Sequence, residues 1–549
     1  MSAPIPAGGT ARALTRRLDA APDRLALYAA LSDGGRRRDT MLLEALAGPS
    51  LILDQAAARI ECRGFDVVLT ALGTGGRAVL ASVARGLPHR VLEAAADRLV
   101  LRFPPPLGDD AEARLLAPSP FDALRAVTTA LRSDTPDEPF ALACLGVIAF
   151  DHVDFLEALP APAEDPLGFP DYVFWLAESL VVFEQGLAPR LVCTGFAGEE
   201  EGARHAHYAA AERLAALAAR CEQVSQVRSS RAKSRGAGTA AERAPLDFAR
   251  DERDGGLALV PPRPAPVEAE ADLDDAAYGA VVSRMKEHIL AGDVYQIVPS
   301  RTFRAPCPDP LLAFAAVRRL DPSPYMFFVA APDHILFGAS PETSVRVLRE
   351  EGWPVVEVKP IAGTRPRGAD ADDDDRMEAD LRLDGKEIAE HMMLVDLARN
   401  DVARVSVPGT RRVARLMSVE RYARVMHLVS SVKGVLGIGY DACHALAACL
   451  NVGTLSGAPK LKATELLRRA ERTRRGPYGG AVGWLNGEGA MDTGVVIRSA
   501  VVKDGTAFVR AGAGVVHDSD PRKEADETRR KASAVLSAIA AATAAGGAA

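Results

Sequence analysis

The sequence has few cysteines, and none of them lies in a spacing typical of a structural metal site. Seven cysteines are spread over 549 residues, with no CxxC pair. Structural zinc sites and disulfide-rich secreted domains both need closely spaced cysteines. This absence argues against both classes and leads us to expect a reduced, cytoplasmic setting.

Long apolar runs and an excess of positive charge are also missing. No run of eighteen apolar residues occurs, and the first segment, MSAPIPAGGTARALTRRL, lacks the apolar core of a signal peptide. We therefore expect no membrane span. The formal net charge of -7 argues against nucleic acid as the main partner, because nucleic-acid-binding domains are usually basic.

Changes in composition divide the chain into four parts. Residues 1–20 are small, basic and polar, and we expect them to be disordered. Residues 21–221 alternate strand-like and helical patterns and predict an N-terminal subdomain. Residues 222–271 are polar, lack periodicity and predict a linker or exposed excursion. Helical periodicity resumes at 272–549, which contains most of the motifs and predicts the catalytic domain.

The predicted strands of the second half are short and are joined by tight turns. Examples are YMFFVAA, which follows the turn DPSP, and ILFGASPETSVRV. Repeated crossover helices, which parallel strands require, are not evident. The pattern therefore favours an α+β fold with mostly antiparallel sheets over a doubly wound parallel sheet.

Two pairs of glutamates recur at helical spacing. Asp384 to Asp401 predicts a helix in which Glu387 and Glu390 share one face. Near the C-terminus, PRKEADETRRKA repeats the arrangement with Glu524 and Glu527. Each pair could hold a metal ion or take part in catalysis. The alternative is a solvated acidic face with local ion pairs, such as Glu390 with Arg399 or Lys386.

The helix from Asp384 also carries an apolar stripe. Ile388, Met392 and Val395 recur at helical spacing on another face. We expect this stripe to be buried.

Eleven strings follow one another over about residues 275–540: GDVYQIVPSR, DPSPYMFF, FGASPET, PIAGTRPRG, KEIAEHMMLVDLARND, VMHLVS, GTLSGAPK, YGGAVGW, VIRSA, AGAGVV and EADETRRKA. In this order they resemble the chorismate-utilising enzymes, and among these the large, synthase component of anthranilate synthase. The resemblance implies a layered α/β/β/α chorismate-binding fold in which the N-terminal region forms a second subdomain. It also implies the first step of tryptophan biosynthesis.

The resemblance implies a magnesium site at the two glutamate pairs. Glu390 and Glu527 would bind the ion directly, and Glu387 and Glu524 would hold its water ligands. Magnesium prefers oxygen ligands and keeps several waters, so four carboxylates suit it.

The implied substrate, chorismate, is a dianion, so its pocket needs a positively charged side chain in addition to the metal ion. Arg498 in VIRSA suits that need. The resemblance implies a pocket lined by Thr364, Tyr478, Arg498, Gly512, Gly514 and Lys531. From the residues alone, AGAGVV is more often a turn than an anion-binding loop, and Lys531 could equally be a surface lysine.

The implied reaction adds ammonia at C2, expels the C4 hydroxyl and then releases pyruvate. Glu342 matches the family's general acid, and His427 matches a histidine associated with pyruvate release. Thr454 would line the same pocket. Gln296 stands where water-using relatives carry a lysine, and Ala362 stands where aminodeoxychorismate synthases carry a nucleophilic lysine. Both differences favour ammonia addition at C2.

Ammonia must come from elsewhere, because no cysteine lies on a G-x-C-x-G elbow. We therefore expect a separate glutaminase subunit and a hetero-oligomer. Two other functions stay open: an aminodeoxyisochorismate synthase of secondary metabolism that keeps its enolpyruvyl group, and a non-catalytic chorismate-binding paralogue.

The resemblance also implies an effector site for tryptophan, built from Glu44, Ala45, Pro324, Tyr325 and Met326. The chain departs from the family's pattern at Ala45, Pro49 and Asp321. Ala45 removes a hydroxyl, and Asp321 places a negative charge where the family has a neutral amide. We therefore expect tryptophan inhibition to be weak or absent.

Overall fold

The computed structural model describes residues 9–106, 108, 110–161, 164–198, 200–234, 269–422 and 425–546. The helices are α1 Arg24–Leu31, α2 Thr74–Gly86, α3 Ala111–Leu116, α4 Phe121–Thr129, α5 Glu200–Ser234, α6 Asp275–Leu290, α7 Pro310–Leu320, α8 Ala371–Leu383, α9 Gly385–Ala403, α10 Ala442–Cys449, α11 Lys460–Glu471 and α12 Pro521–Gly546. Two short 3₁₀ helices span Pro88–Arg90 and Phe150–Phe155.

The strands of the first half are β1 Thr10–Arg17, β2 Thr40–Ala45, β3 Ser50–Arg63, β4 Asp66–Ala71, β5 Val91–Ala94, β6 Arg98–Arg102, β7 Arg132–Ser133, β8 Ala143–Ile148, β9 Tyr172–Phe183 and β10 Arg190–Ala197. Those of the second half are β11 Glu270–Ala271, β12 Gln296–Ile297, β13 Ser300–Pro306, β14 Tyr325–Ala330, β15 Ile335–Ser340, β16 Thr343–Glu350, β17 Trp353–Val358, β18 Ile361–Pro366, β19 Arg412–Arg421, β20 Val425–Val435, β21 Gly457–Ala458, β22 Ala481–Asn486, β23 Met491–Val495, β24 Ser499–Lys503 and β25 Thr506–Gly512.

Hydrogen bonding connects 23 of these strands into one sheet with mostly antiparallel pairing, while β12 and β21 form a separate two-stranded ribbon. Helices flank the large sheet, so the predicted α+β class with mostly antiparallel pairing is confirmed. The strand β1 pairs in parallel only with the two-residue β7. Strands of the two halves pair directly, β2 with β14 and β8 with β22. The two predicted subdomains therefore share one hydrogen-bonded sheet.

The structure differs from the sequence prediction in two chain segments. Residues 10–17 of the segment expected to be disordered form β1, because their backbone groups pair along the full length of β10. The expected linker 222–271 begins inside a helix, since α5 continues to Ser234, and it ends in β11, which pairs with β13. Residues 1–8 and the middle of the expected linker, 235–268, lie outside the described residues.

The glutamate helix forms as predicted and begins at a well-capped N-terminus. The Asp384 carboxylate accepts the backbone N–H groups of Lys386 and Glu387, which are otherwise unpaired in the first turn. α9 packs against β18 and β20. Because α12 also forms, both glutamate pairs lie on helices.

The expected apolar stripe of α9 is partly misplaced. The buried residues of α9, which packs on the sheet, are His391, Leu394, Val395, Ala398, Asp401 and Val402. Met392 is 42% exposed, so its predicted burial is wrong. A histidine occupies the buried face because its Nε2 lies 2.6 Å from Ser430 Oγ, which satisfies one ring nitrogen.

No helix in the described part of the chain is both long enough and apolar enough to span a membrane.

Candidate active site

Glu342 lies in the short connection between β15 and β16, and its side chain is buried. It is 5% exposed, and Thr454 Oγ1 donates a hydrogen bond of 2.8 Å to its Oε1. Burial raises the pKa of Glu342 to about 7, although Thr454 and the charges of Lys531 and Arg498 oppose the rise. A carboxyl group with this pKa is partly protonated near neutral pH and can donate a proton.

His427 is held in one orientation by the neighbouring strand. The register of β18 and β20 places Thr364 opposite His427, and Nδ1 lies 3.1 Å from Thr364 Oγ1 and 2.9 Å from the Gly363 carbonyl oxygen. Burial lowers the pKa of His427 to about 4, so the ring is neutral at physiological pH. A carbonyl oxygen only accepts, which assigns the proton to Nδ1. Nε2 has no hydrogen-bond partner among the described residues and can accept a proton.

Gln296 connects the two-stranded ribbon to the glutamate helix. Its Nε2 donates to Glu390 Oε1 at 3.1 Å, and its buried Oε1 has no partner in the described part of the chain. A Cβ on Gly514 would lie 2.9 Å from this amide nitrogen, so Gly514 leaves the space that Gln296 occupies. The contact to Glu390 differs from the alternative of an ion pair with Arg399, which instead bonds Asp396.

The two glutamate pairs hold closely spaced negative charges. Burial and the charge of Glu390 raise the pKa of Glu387, and burial and the charge of Glu527 raise that of Glu524. Gln296 contacts Glu390 of α9 and lies against Gly514. Gly512 accepts a hydrogen bond from Lys531 of α12, so both helices contact the same segment. Paired carboxylates that repel one another fit a cation.

The pairs do not form a closed metal cage. Within the described ranges, no group of three or more histidine, cysteine, aspartate or glutamate side chains is arranged to hold a metal ion. Two separate pairs are compatible with an ion that also takes ligands from water and substrate, as magnesium does.

Lys531 and Gly512 lie together beside these pairs. Lys531 Nζ donates to the Gly512 carbonyl at 3.0 Å and lies 2.7 Å from Glu527 Oε1. The lysine therefore contacts a glycine of the predicted pocket, while its side chain is 49% exposed. A Cβ on Gly512 would lie 3.0 Å from the Tyr478 hydroxyl, so the glycine permits this close approach.

Arg498 pairs with Asp321, a residue that the sequence placed at the predicted effector site. Its Nη1 lies 3.1 Å from Asp321 Oδ2, and its charge influences both Glu342 and His427. We predicted Asp321 only as a changed effector-site residue. The acid at position 321, where the family has a neutral amide, was a signal that this residue has an unusual partner. No sequence spacing identifies that partner, because Asp321 and Arg498 are 177 positions apart.

The predicted effector residues are brought together by strand pairing. In the register of β2 and β14, Ala45 lies opposite Tyr325 and Glu44 opposite Met326. Pro324 precedes β14, and its carbonyl accepts the N–H of Leu46. Pro49 lies in the turn between β2 and β3.

The sequence reading missed Arg318 of α7 at this effector segment. Arg318 donates to both oxygens of the buried Glu44 carboxylate, at 2.8 and 3.0 Å.

Comparison with known proteins identifies the family. The sequence profile of the chorismate binding enzyme family matches residues 107–537. Anthranilate synthase component 1 of Vibrio cholerae serotype O1 is 44% identical over 533 residues, covering 94% of this chain and 94% of that protein. The pyocyanine-specific anthranilate synthase component 1 of Pseudomonas aeruginosa is 46% identical over 501 residues, covering 90% and 87%.

A solved structure gives the same result for the fold. The crystal structure of anthranilate synthase component I from Streptococcus pneumoniae matches with a TM-score of 0.62 and 27% identity, over 90% of this chain and 92% of that one. The resemblance to anthranilate synthase components drawn from the eleven strings is thus confirmed. The chain belongs to the family of chorismate binding enzymes.

Proposed function

We propose that the chain is the synthase component of an anthranilate synthase, which converts chorismate and ammonia to anthranilate and pyruvate. The observation that carries the proposal is Glu342, a buried carboxyl group whose pKa is raised to about 7 and which Thr454 orients. The expulsion of a hydroxyl group needs a proton donor of this kind. The names of the relatives support the choice of product.

The substrate dianion would be held between positive groups at one end of the site. Arg498 offers a planar set of N–H donors that suits a carboxylate. Glu390 and Glu527 would hold magnesium directly, with Glu387 and Glu524 on its waters, and the ion would add positive charge beside a substrate carboxylate.

Gln296 would bind ammonia, the nucleophile, through a hydrogen bond. Its buried Oε1 has no hydrogen-bond partner among the residues that the structure describes, so it can accept an N–H from ammonia, whereas it cannot deprotonate water. The amide thus favours a nucleophile that is already neutral and reactive. Ala362 on β18 offers no competing nucleophilic side chain.

The first half of the reaction would form the C2–N bond while the C4–O bond breaks. Glu342 would give its proton to the departing hydroxyl, which leaves as water. In the second half, C2 would lose its proton while the C3–O bond breaks, and the released enolpyruvate would take up a proton to become pyruvate. His427, neutral and with Nε2 free, is the residue we propose to accept the C2 proton.

A separate glutaminase would supply the ammonia. All seven cysteines are buried and free, so none offers an accessible nucleophile for glutamine hydrolysis. The relatives are named as component 1, which fits an assembly with a second component. We propose a hetero-oligomer of the two in the cytoplasm.

The isolated chain should form anthranilate and pyruvate in equal amounts from chorismate, magnesium and a high concentration of ammonium. Glutamine in place of ammonium should give no product, because the chain lacks a glutaminase site. Fluorescence of anthranilate and a coupled pyruvate assay measure the two products. An aminated product without pyruvate would identify an aminodeoxyisochorismate synthase, and binding without turnover would identify a non-catalytic paralogue.

Tryptophan at low micromolar concentration should leave this activity unchanged. The Glu44 carboxylate, which would have to bind an amino group, is already occupied by Arg318 and also faces Arg24 at 3.6 Å. Ala45 offers no hydroxyl. A dose–response curve and calorimetry with tryptophan check this expectation, and half-inhibition in the low micromolar range would refute it.

A further inference from the structure

Arg498 has a backbone conformation that only its surroundings can maintain. Its φ is +47°, in the left-handed region that disfavours residues with a Cβ. The Arg498 carbonyl accepts the N–H of Ala339, and a Cβ on Gly338 would lie 2.9 Å from the same oxygen. The backbone is therefore locked against β15, which fixes where the side chain starts.

The far end of the side chain is fixed by a different element. Asp321 is the residue at which α7 ends, where its backbone N–H bonds the Val317 carbonyl. Its carboxylate lies 3.1 Å from Arg498 Nη1, with both side chains largely buried. No other ion pair of Arg498 occurs within the described ranges. Asp321 thus contacts the guanidinium through one of its nitrogens.

The charges of Arg498 and Asp321 act on the pKa values of residues at the proposed reaction centre. Arg498 lowers the pKa of Glu342, and Arg498 and Asp321 act in opposite directions on the pKa of His427. Val495, three residues before Arg498, donates its backbone N–H to the Glu342 carbonyl at 2.9 Å, so the chain brings Arg498 close to Glu342. Asp321 follows α7 and contacts the guanidinium from that different element. A guanidinium has five N–H donors, so binding of Nη1 to Asp321 leaves donors for a substrate carboxylate.

We propose that Asp321 is a positioning residue that aims Arg498 at the substrate carboxylate. Asp321, which departs from the family's pattern, would thus position an active-site residue, although it lies in the segment of the predicted effector site. The inference rests on the proposed function, because it takes chorismate as the ligand of Arg498. The role requires a hydrogen-bond acceptor at position 321 more than it requires a charge.

Replacement of Asp321 by alanine should raise KM for chorismate about tenfold and leave kcat within about twofold, because pre-organised binding is lost in ground and transition states alike. D321N keeps an acceptor of the same shape and should hold KM within about threefold. D66A is the matched control, since it removes the two bonds that Arg102 makes far from the site, and its KM should be unchanged.

Kinetics with saturating ammonium and calorimetric titration with chorismate measure these effects, and thermal unfolding checks that each variant folds. An unchanged or lower KM in D321A would overturn the inference. If the wild-type chain binds chorismate without converting it, the proposed function fails, and the calorimetric Kd values of D321A and D321N still test the role of Asp321. If the wild-type chain is active and D321A equals it, only the inference fails.

Discussion

Replacement of Glu342 by glutamine should lower kcat for chorismate at least about 100-fold, the usual contribution of a general acid. Glutamine keeps the size of the side chain and a carbonyl oxygen for Thr454, but it has no proton to give. Because E342Q leaves Arg498, the proposed binding group for the substrate carboxylate, unchanged, KM should change little. The measurement is steady-state kinetics with saturating ammonium and magnesium.

E178Q provides the control for this variant. Glu178 is also a buried glutamate whose pKa is raised by burial, but it pairs with Arg213 in the first half of the chain. Its replacement should leave kcat within about twofold. A loss of less than about tenfold in E342Q, or an equal loss in E178Q, would contradict the role of Glu342.

The raised pKa of Glu342 also fixes the direction of two pH effects. Its folded pKa of about 7 lies above its ordinary value of 4.5, so between these values the folded protein binds more protons than the unfolded chain. The contribution of Glu342 to stability is therefore full below 4.5 and is lost as pH rises to about 7. E342Q should unfold at a higher temperature than the wild type above pH 7, while wild-type kcat should fall as Glu342 deprotonates.

Local spacing was sufficient to predict the helices that carry the glutamates. The pairs Glu387–Glu390 and Glu524–Glu527 lie within single helices, and their relative placement follows from the helical period. The same period wrongly predicted that Met392 is buried. Apolar residues at helical spacing do not determine which face of the helix packs against the sheet. The histidine at 391 is buried there since Ser430, on another element, satisfies it.

Contacts across the sheet could not be predicted from spacing. Thr364 meets His427 through the pairing of β18 with β20, which contains a register shift between Ala362 and Thr364. Thr454 reaches Glu342 over 112 residues. Only the resemblance to a family placed these residues in one pocket, and it gave no role in that pocket to Asp321, where the chain departs from the family's pattern.

Edge pairing explains the error at the N-terminus. Residues 10–17, TARALTRR, are polar and basic, and nothing in their composition predicts order. They form a strand because β10 presents a complete edge with which they pair in register. The partner strand lies some 180 residues away, beyond the reach of any local pattern.

Removal of a proposed direct magnesium ligand should be as severe as removal of the proposed general acid. E390Q and E527Q should lower kcat/KM more than about 100-fold, while E387Q and E524Q, which would hold ligand waters, should cost about 10- to 100-fold. Magnesium titrated calorimetrically in the presence of chorismate measures binding apart from turnover. D372N, which neutralises an exposed carboxylate on α8, serves as the control for a general change of charge.

The raised pKa values of Glu387 and Glu524 add a test that a purely structural role would not pass. A carboxylate must lose its proton before it can bind a metal ion or hold its waters, so magnesium binding should release protons and weaken as pH falls. Titrations in two buffers of different ionisation enthalpy detect the released protons. Full activity of the wild type after treatment with a chelator, or unchanged magnesium binding in E390Q, would show that the glutamate pairs serve another purpose.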